Sequence, residues 1–141
     1  GEQRLNSNPG WNAGGVVSFE PYDDSTSTSQ IFRLSSFAGY ATESLRLGTE
    51  FLKSEDSDGT SGQLVSFYGN FALGNALDVL VRVDTFDEDI NTEDNRKTYL
   101  IGGMHYRPTT GFSIAPTLHY KLYEDNSESK MTLKLNFQFR F

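Results

Sequence analysis

From Met131 to the end of the chain the residues alternate without a single error. Met131, Leu133, Leu135, Phe137, Phe139 and Phe141 are separated by Thr132, Lys134, Asn136, Gln138 and Arg140. A period of two belongs to the β-strand, whose successive side chains leave opposite faces; wound onto a helix, the same residues would scatter round the circumference. The segment is therefore a strand with one apolar and one polar face, and the rest of the fold has to accommodate both.

The pattern recurs upstream. Phe112, Ile114, Pro116, Leu118, Tyr120 and Leu122 oppose Ser113, Ala115, Thr117, His119 and Lys121. Leu77, Val79, Val81 and Val83 oppose Asp78, Arg82 and Asp84, with Leu80 out of step. Weaker alternation marks 98–107, 63–73, 44–53, 30–41 and 11–21, which makes eight strands in all. A chain of 141 residues suits one folding unit. The reading is thus a polar amino-terminal segment, 1–10, followed by a single all-β domain, 11–141.

Four acidic connections (22–29, 53–62, 87–97 and 123–130) alternate with three short ones at 41–43, 74–75 and 108–111. The long connections hold thirteen acids and four bases, so the acidity of the chain gathers at one end of the strands. An up-and-down meander leaves two edges unless its first and last strands pair, and closure removes that liability. The expected fold is a closed antiparallel eight-stranded β-barrel.

Alternation fits a barrel that is greasy inside or greasy outside. The polar face decides for the second, because it mixes Gly14, Ser18, Gly48, Ser66, Asn70, Gly103, Ser113 and Thr117 with charges of both signs, which suits a crowded interior better than a solvated coat. Strands of about 10 to 12 residues cross a bilayer at a tilt. Aromatic residues gather near the strand ends: Trp11, Tyr40, Tyr106 and Phe112 toward the short turns, Phe19, Phe51 and Tyr120 toward the long connections. No apolar run is long enough for a transmembrane helix.

The ending LKLNFQFRF resembles the carboxy-terminal strand of Gram-negative outer-membrane β-barrel proteins, and 99–141 is similar to the final hairpins of porin-like barrels. The resemblance implies a transmembrane barrel in the bacterial outer membrane, surrounded by lipid bilayer and lipopolysaccharide. It also implies that Phe137, Phe139 and Phe141 form an assembly signal read by the outer-membrane insertion machinery.

Little in the chain points to catalysis. There is no Cys, which removes disulfides, thiolate metal sites and thiol nucleophiles. His105 and His119 are read as satisfied interior histidines, since no nucleophile or triad partner accompanies them. The expectation is a non-enzyme without cofactor or resident metal. A net charge of -7 disfavours nucleic acid as a partner. Asp56-Ser57-Asp58-Gly59 begins like a calcium loop, but Phe67 stands where the bidentate Glu would fall. Weak divalent-cation binding is set against a merely solvated acidic loop.

The candidate site is instead a charge network across the interior. Glu20, Glu50, Asp78 and Asp84 can face Arg46, Arg82, Arg107, Lys121, Lys134 and Arg140. In a lumen wide enough only for side chains the network would act as a plug, giving a structural, adhesive or narrowly conductive role. The alternatives are a charged, weakly anion-favouring pore, part or a minimal version of a wider porin conducting small solutes, and a soluble lipocalin-like carrier.

Overall fold

The computed structural model describes residues 9–24, 27–125 and 128–140, with the side chains of 22–29 outside the description. Eight strands follow in chain order: β1 (Gly10–Asp24), β2 (Ser27–Ala41), β3 (Leu45–Asp56), β4 (Ser61–Ala72), β5 (Leu77–Asp87), β6 (Lys97–Thr109), β7 (Phe112–Tyr123) and β8 (Lys130–Phe139). Each runs antiparallel to its sequence neighbour in one sheet ordered β1 to β8, so the up-and-down meander stands. Residues 1–8 and Phe141 lie outside the described residues.

The sheet is open, contrary to the expected closure. Among the described residues β1 pairs only with β2 and β8 only with β7. Alternation fixes which face a side chain takes but not how tightly the sheet curls, and the argument from edges requires only that an edge be covered, not that β1 cover β8. Bulk works against tight closure as well. Besides its charges, the polar face carries Phe37, Tyr68, Phe86 and Tyr99, whereas an eight-stranded barrel encloses little more than one layer of side chains.

Registers show how the strands lean. Cross-strand partners run from Gly14 through Phe37, Glu50, Ser66, Asp84, Tyr99 and Lys121 to Lys130. The walk starts near the turn end of β1 and finishes at the first residue of β8, at the opposite end of the strands. This progressive stagger is the tilt that a barrel wall has.

Two of the expected long connections are shorter than the sequence suggested. β1 and β2 extend through Asp24 and from Ser27, with Tyr22, Asp23 and Asp24 opposite Ser29, Thr28 and Ser27. β3 likewise reaches Asp56, opposite Ile31. Ser and Thr are tolerated in strands as readily as in turns, so composition misplaced these boundaries. The connection from β5 to β6, residues 88–96, remains long.

Two prolines mark local breaks. The β6–β7 ladder passes from Gly103 opposite Thr117 to Tyr106 opposite Ile114, skipping Met104 and His105 on one strand and Pro116 and Ala115 on the other, and its register shifts between Tyr106 and Thr109, beside Pro108. Proline has no N–H to give the ladder. The turn from β4 to β5 uses Gly74 at φ 83°, a left-handed conformation that an L side chain adopts only with strain.

No hydrophobic side chain is buried among the described residues. The apolar residues form one continuous exposed face, from Trp11 (81% exposed) and Phe19 in β1, through Phe67, Val81 and Leu118, to Leu133 (73%) and Phe139 in β8. Aromatic pairs brace it at both margins. Trp11 meets Tyr40 at 4.9 Å and Phe112 meets Phe139 at 5.0 Å toward the turns, while Phe19 meets Phe32 at 5.1 Å toward the other end. The eight steps from Trp11 to Phe19 span about 26 Å of strand, or about 20 Å of height at a tilt near 40°. The rings beyond them bring the band near the ~25 Å apolar belt of a membrane barrel.

Candidate functional site

Every charge expected in the interior lies on the opposite, polar face, because register and alternation carry one phase through all eight strands. The centre is Arg82. Its Nε donates to both carboxylate oxygens of Asp84, at 2.8 and 2.9 Å, and its Nη2 donates to Ser66 Oγ at 3.3 Å. Ser66 Oγ in turn donates to Asp84 Oδ1 at 2.5 Å, and Glu50 stands 3.8 Å from the guanidinium. Glu50, Ser66 and Asp84 occupy one row across β3, β4 and β5, so the register assembles the cluster. Ser66 is fully buried and Asp84 is 16% exposed, which makes this the driest polar spot on the face.

Asp78 does not join Arg82. It accepts from Arg107 Nη1 at 2.5 Å, with His105 Nδ1 4.0 Å away. Asp78 and His105 are direct cross-strand partners, and Arg107 reaches over from one pleat further along β6. Glu20 pairs with Arg33 at 2.6 Å. Lys121 lies over the rings of Tyr99 at 5.0 Å and Tyr123 at 4.5 Å, without a carboxylate. Among the described residues Arg46, Lys134 and Arg140 have no ion-pair partner. The network is thus several separate clusters and a set of unpaired bases, not one continuous plug.

Sequence reasoning missed Arg33, Tyr99 and Tyr123, and it placed Ser66 on the polar face without assigning it to the charge network. Arg33 faces Ser18 across β1–β2, and that register brings it within reach of Glu20 one pleat away. The signal was there, but only the pairing makes it legible. His119 contacts Thr117 Oγ1 at 3.3 Å and His105 contacts Arg107 at 3.0 Å, so both rings have partners on the polar face.

Two hollows mark this face. One, of about 380 Å³, runs from Arg46 in β3 to Thr117 in β7 and is lined by Asn70, Asp78, Gly103 and His105, next to the interruption at Pro116. The other, about 670 Å³ at the turn end, is lined by Arg107, Ser113, Gln138 and Arg140. A hollow shared by five consecutive strands means that the sheet bends toward its polar side.

The acidic connections use their carboxylates to cap turns. Asp58 accepts from the Thr60 amide at 2.8 Å, which holds its carboxyl below the ordinary 3.8. Asp89 accepts from the Asn91 amide at 3.2 Å and from the Thr92 hydroxyl at 3.0 Å, and from the Ser61 amide at 3.4 Å; its carboxyl is lowered from 3.8 for that reason, the Asn91 amide contributing most. Among the described residues no three His, Asp or Glu side chains gather in a metal-holding group.

A lowered folded-state pKa contributes order above the ordinary carboxylate value, and that order is lost as pH falls through the folded one. The amide of Asn91, which donates to the Asp89 carboxylate, should therefore keep its hydrogen-exchange protection at the ordinary carboxylate value and lose it as pH falls through the lowered one. Asp89→Ala should remove the protection at every pH, as read by exchange of the reconstituted protein. Protection that ignores Asp89→Ala would show that the turn is held by other groups.

No family model, curated protein or solved structure matches the chain.

Proposed function

We propose that the chain forms part of the wall of a transmembrane β-barrel of the bacterial outer membrane, its apolar face against lipid and its polar face toward an aqueous passage. The observation that carries this reading is the exposed apolar face. A sheet with no buried hydrophobic side chain among its described residues lacks the main driving force for folding in water, and in a bilayer that same face has its natural surroundings. The margins of paired aromatic rings and the tilted strands support it. A soluble carrier is disfavoured because the hollows lie on the polar, not the apolar, side.

The open edges favour a passage wider than eight strands. Peptide groups left unpaired in hydrocarbon cost several kcal/mol each, so β1 and β8 need neighbours there. With further strands between them, the polar clusters line a porin-like wall that passes small solutes. This takes the place of a plugged eight-stranded barrel.

The only Trp of the chain tests the reading directly. Trp11 stands on the apolar face at the turn-end margin. Reconstituted into vesicles whose lipids carry bromine at graded depths, the protein should show Trp11 fluorescence shifted to the blue and quenched most by bromines near the headgroups. Unquenched, red-shifted emission from a protein that stays monodisperse without detergent would overturn the membrane reading.

A further inference from the structure

We propose that the polar face of β6, β7 and β8 is an anion-selecting strip that draws small inorganic and carboxylate anions through the passage. The inference rests on the wall reading above and adds a substrate class to it. The polar phase of these three strands carries Lys97, Arg107, Lys121, Lys130, Lys134 and, just beyond β8, Arg140, and not one Asp or Glu. The same face of β1 to β5 carries charges of both signs, most of them engaged with one another: Glu20 with Arg33, and Arg82 with Glu50 and Asp84. In a chain of net charge -7, a three-strand surface of one sign and the opposite one is a strong segregation.

Acids outside the three strands hold two of these bases, Glu88 pairing with Lys97 and Asp78 with Arg107, whereas Lys121, Lys130, Lys134 and Arg140 have no carboxylate partner among the described residues, so their charge is available. Lys121 and Lys130 are direct cross-strand partners, and like charges placed opposite each other destabilise a sheet. No acid stands between them to relieve the repulsion. Lys121 is held by the faces of Tyr99 and Tyr123, which position a cation without cancelling its charge. Lys134 lies beside Thr117, and its neighbours along β8 on that face are Thr132 and Asn136. Arg140 lines the turn-end hollow together with Arg107, Ser113 and Gln138. An anion entering from either end thus meets cations spaced along the strands, with hydroxyl and amide donors between them. Anions are attracted to such a row and cations are repelled by it.

The test is the reversal potential of the reconstituted full-length protein in planar bilayers under a potassium chloride gradient. Chloride should be preferred over potassium, and the preference should shrink as salt rises, because the screening length falls from about 10 Å at 0.1 M to about 3 Å at 1 M. Lys121→Gln, Lys130→Gln and Lys134→Gln together should bring the permeability ratio toward unity. Lys53→Gln, on the apolar phase of β3 beside Glu55, should leave it unchanged. Current that is non-selective or cation-selective, or a selectivity that ignores the triple substitution, overturns this proposal and leaves the membrane reading standing. An absence of any ion current overturns the strip and the passage together, and Trp11 quenching then shows whether the protein still meets lipid.

Discussion

Leu118→Arg and Leu135→Arg are each expected to destabilise the membrane-inserted protein by about 2 to 4 kcal/mol, the cost of an arginine near the bilayer midplane. Leu118 stands mid-strand in β7 between Gly102 and Leu133, and Leu135 stands mid-strand in β8 opposite Pro116. Both are on the exposed apolar face. Their immediate sequence neighbours point the other way, so Thr117→Ser and Asn136→Ser should stay within about 0.5 kcal/mol, as surface changes commonly do. Urea titration in lipid vesicles measures all four. Equal sensitivity of the two faces would mean that the apolar side does not meet hydrocarbon. Because the comparison is between adjacent residues on one strand, a general weakening of the strand cannot imitate it.

The second large effect belongs to Arg82 and its partners. Asp84→Ala leaves the Arg82 guanidinium with Glu50, at 3.8 Å, as its remaining carboxylate among the described residues, beside its bond to Ser66 Oγ, and deprives Ser66 of its acceptor. Loss of one member of a partly buried polar cluster costs about 1 to 3 kcal/mol, and the lower half of that range applies because the Arg82 side chain is 35% exposed. Arg82→Ser combined with Asp84→Ser removes both charges and should cost less than the two single changes added together. A double-mutant cycle in vesicles reads the difference, and strict additivity would show that the contacts carry no energy. If the polar face lines a passage, the double variant should also conduct more, because it clears two side chains without stranding a charge.

How much of this was legible beforehand differs from element to element. β8 could be read outright, because Met131 to Phe139 alternate without exception. All eight strands and both of their faces followed from the same rule. Phe37 goes against its residue type but not against the period of two. An aromatic residue in a strand reads as apolar-face material, yet register places it on the polar side, its ring over Gly14 where no Cβ intervenes. Curvature was not legible, because a period of two says nothing about how many strands complete a wall. The charged residues could be named from sequence, but their partners could not. Asp78 was as good a match for Arg82 as Asp84 was, and the pairing across β5 and β6 gave it to Arg107 instead.

The open order β1 to β8 also governs the timing of assembly. Among the described residues every contact between strands joins neighbours in sequence, so each hairpin can zip onto the previous one with only a short loop to close. On the wall reading proposed above, the outer rails of β1 and β8 wait for further strands. In water those rails are templates for indiscriminate aggregation, and in hydrocarbon they are not tolerated, so joining them is slow, non-local and committing. Mutations in β2 to β7 should change how stable the finished wall is, whereas mutations along the free rails of β1 and β8 should change how much of the protein ever reaches the membrane.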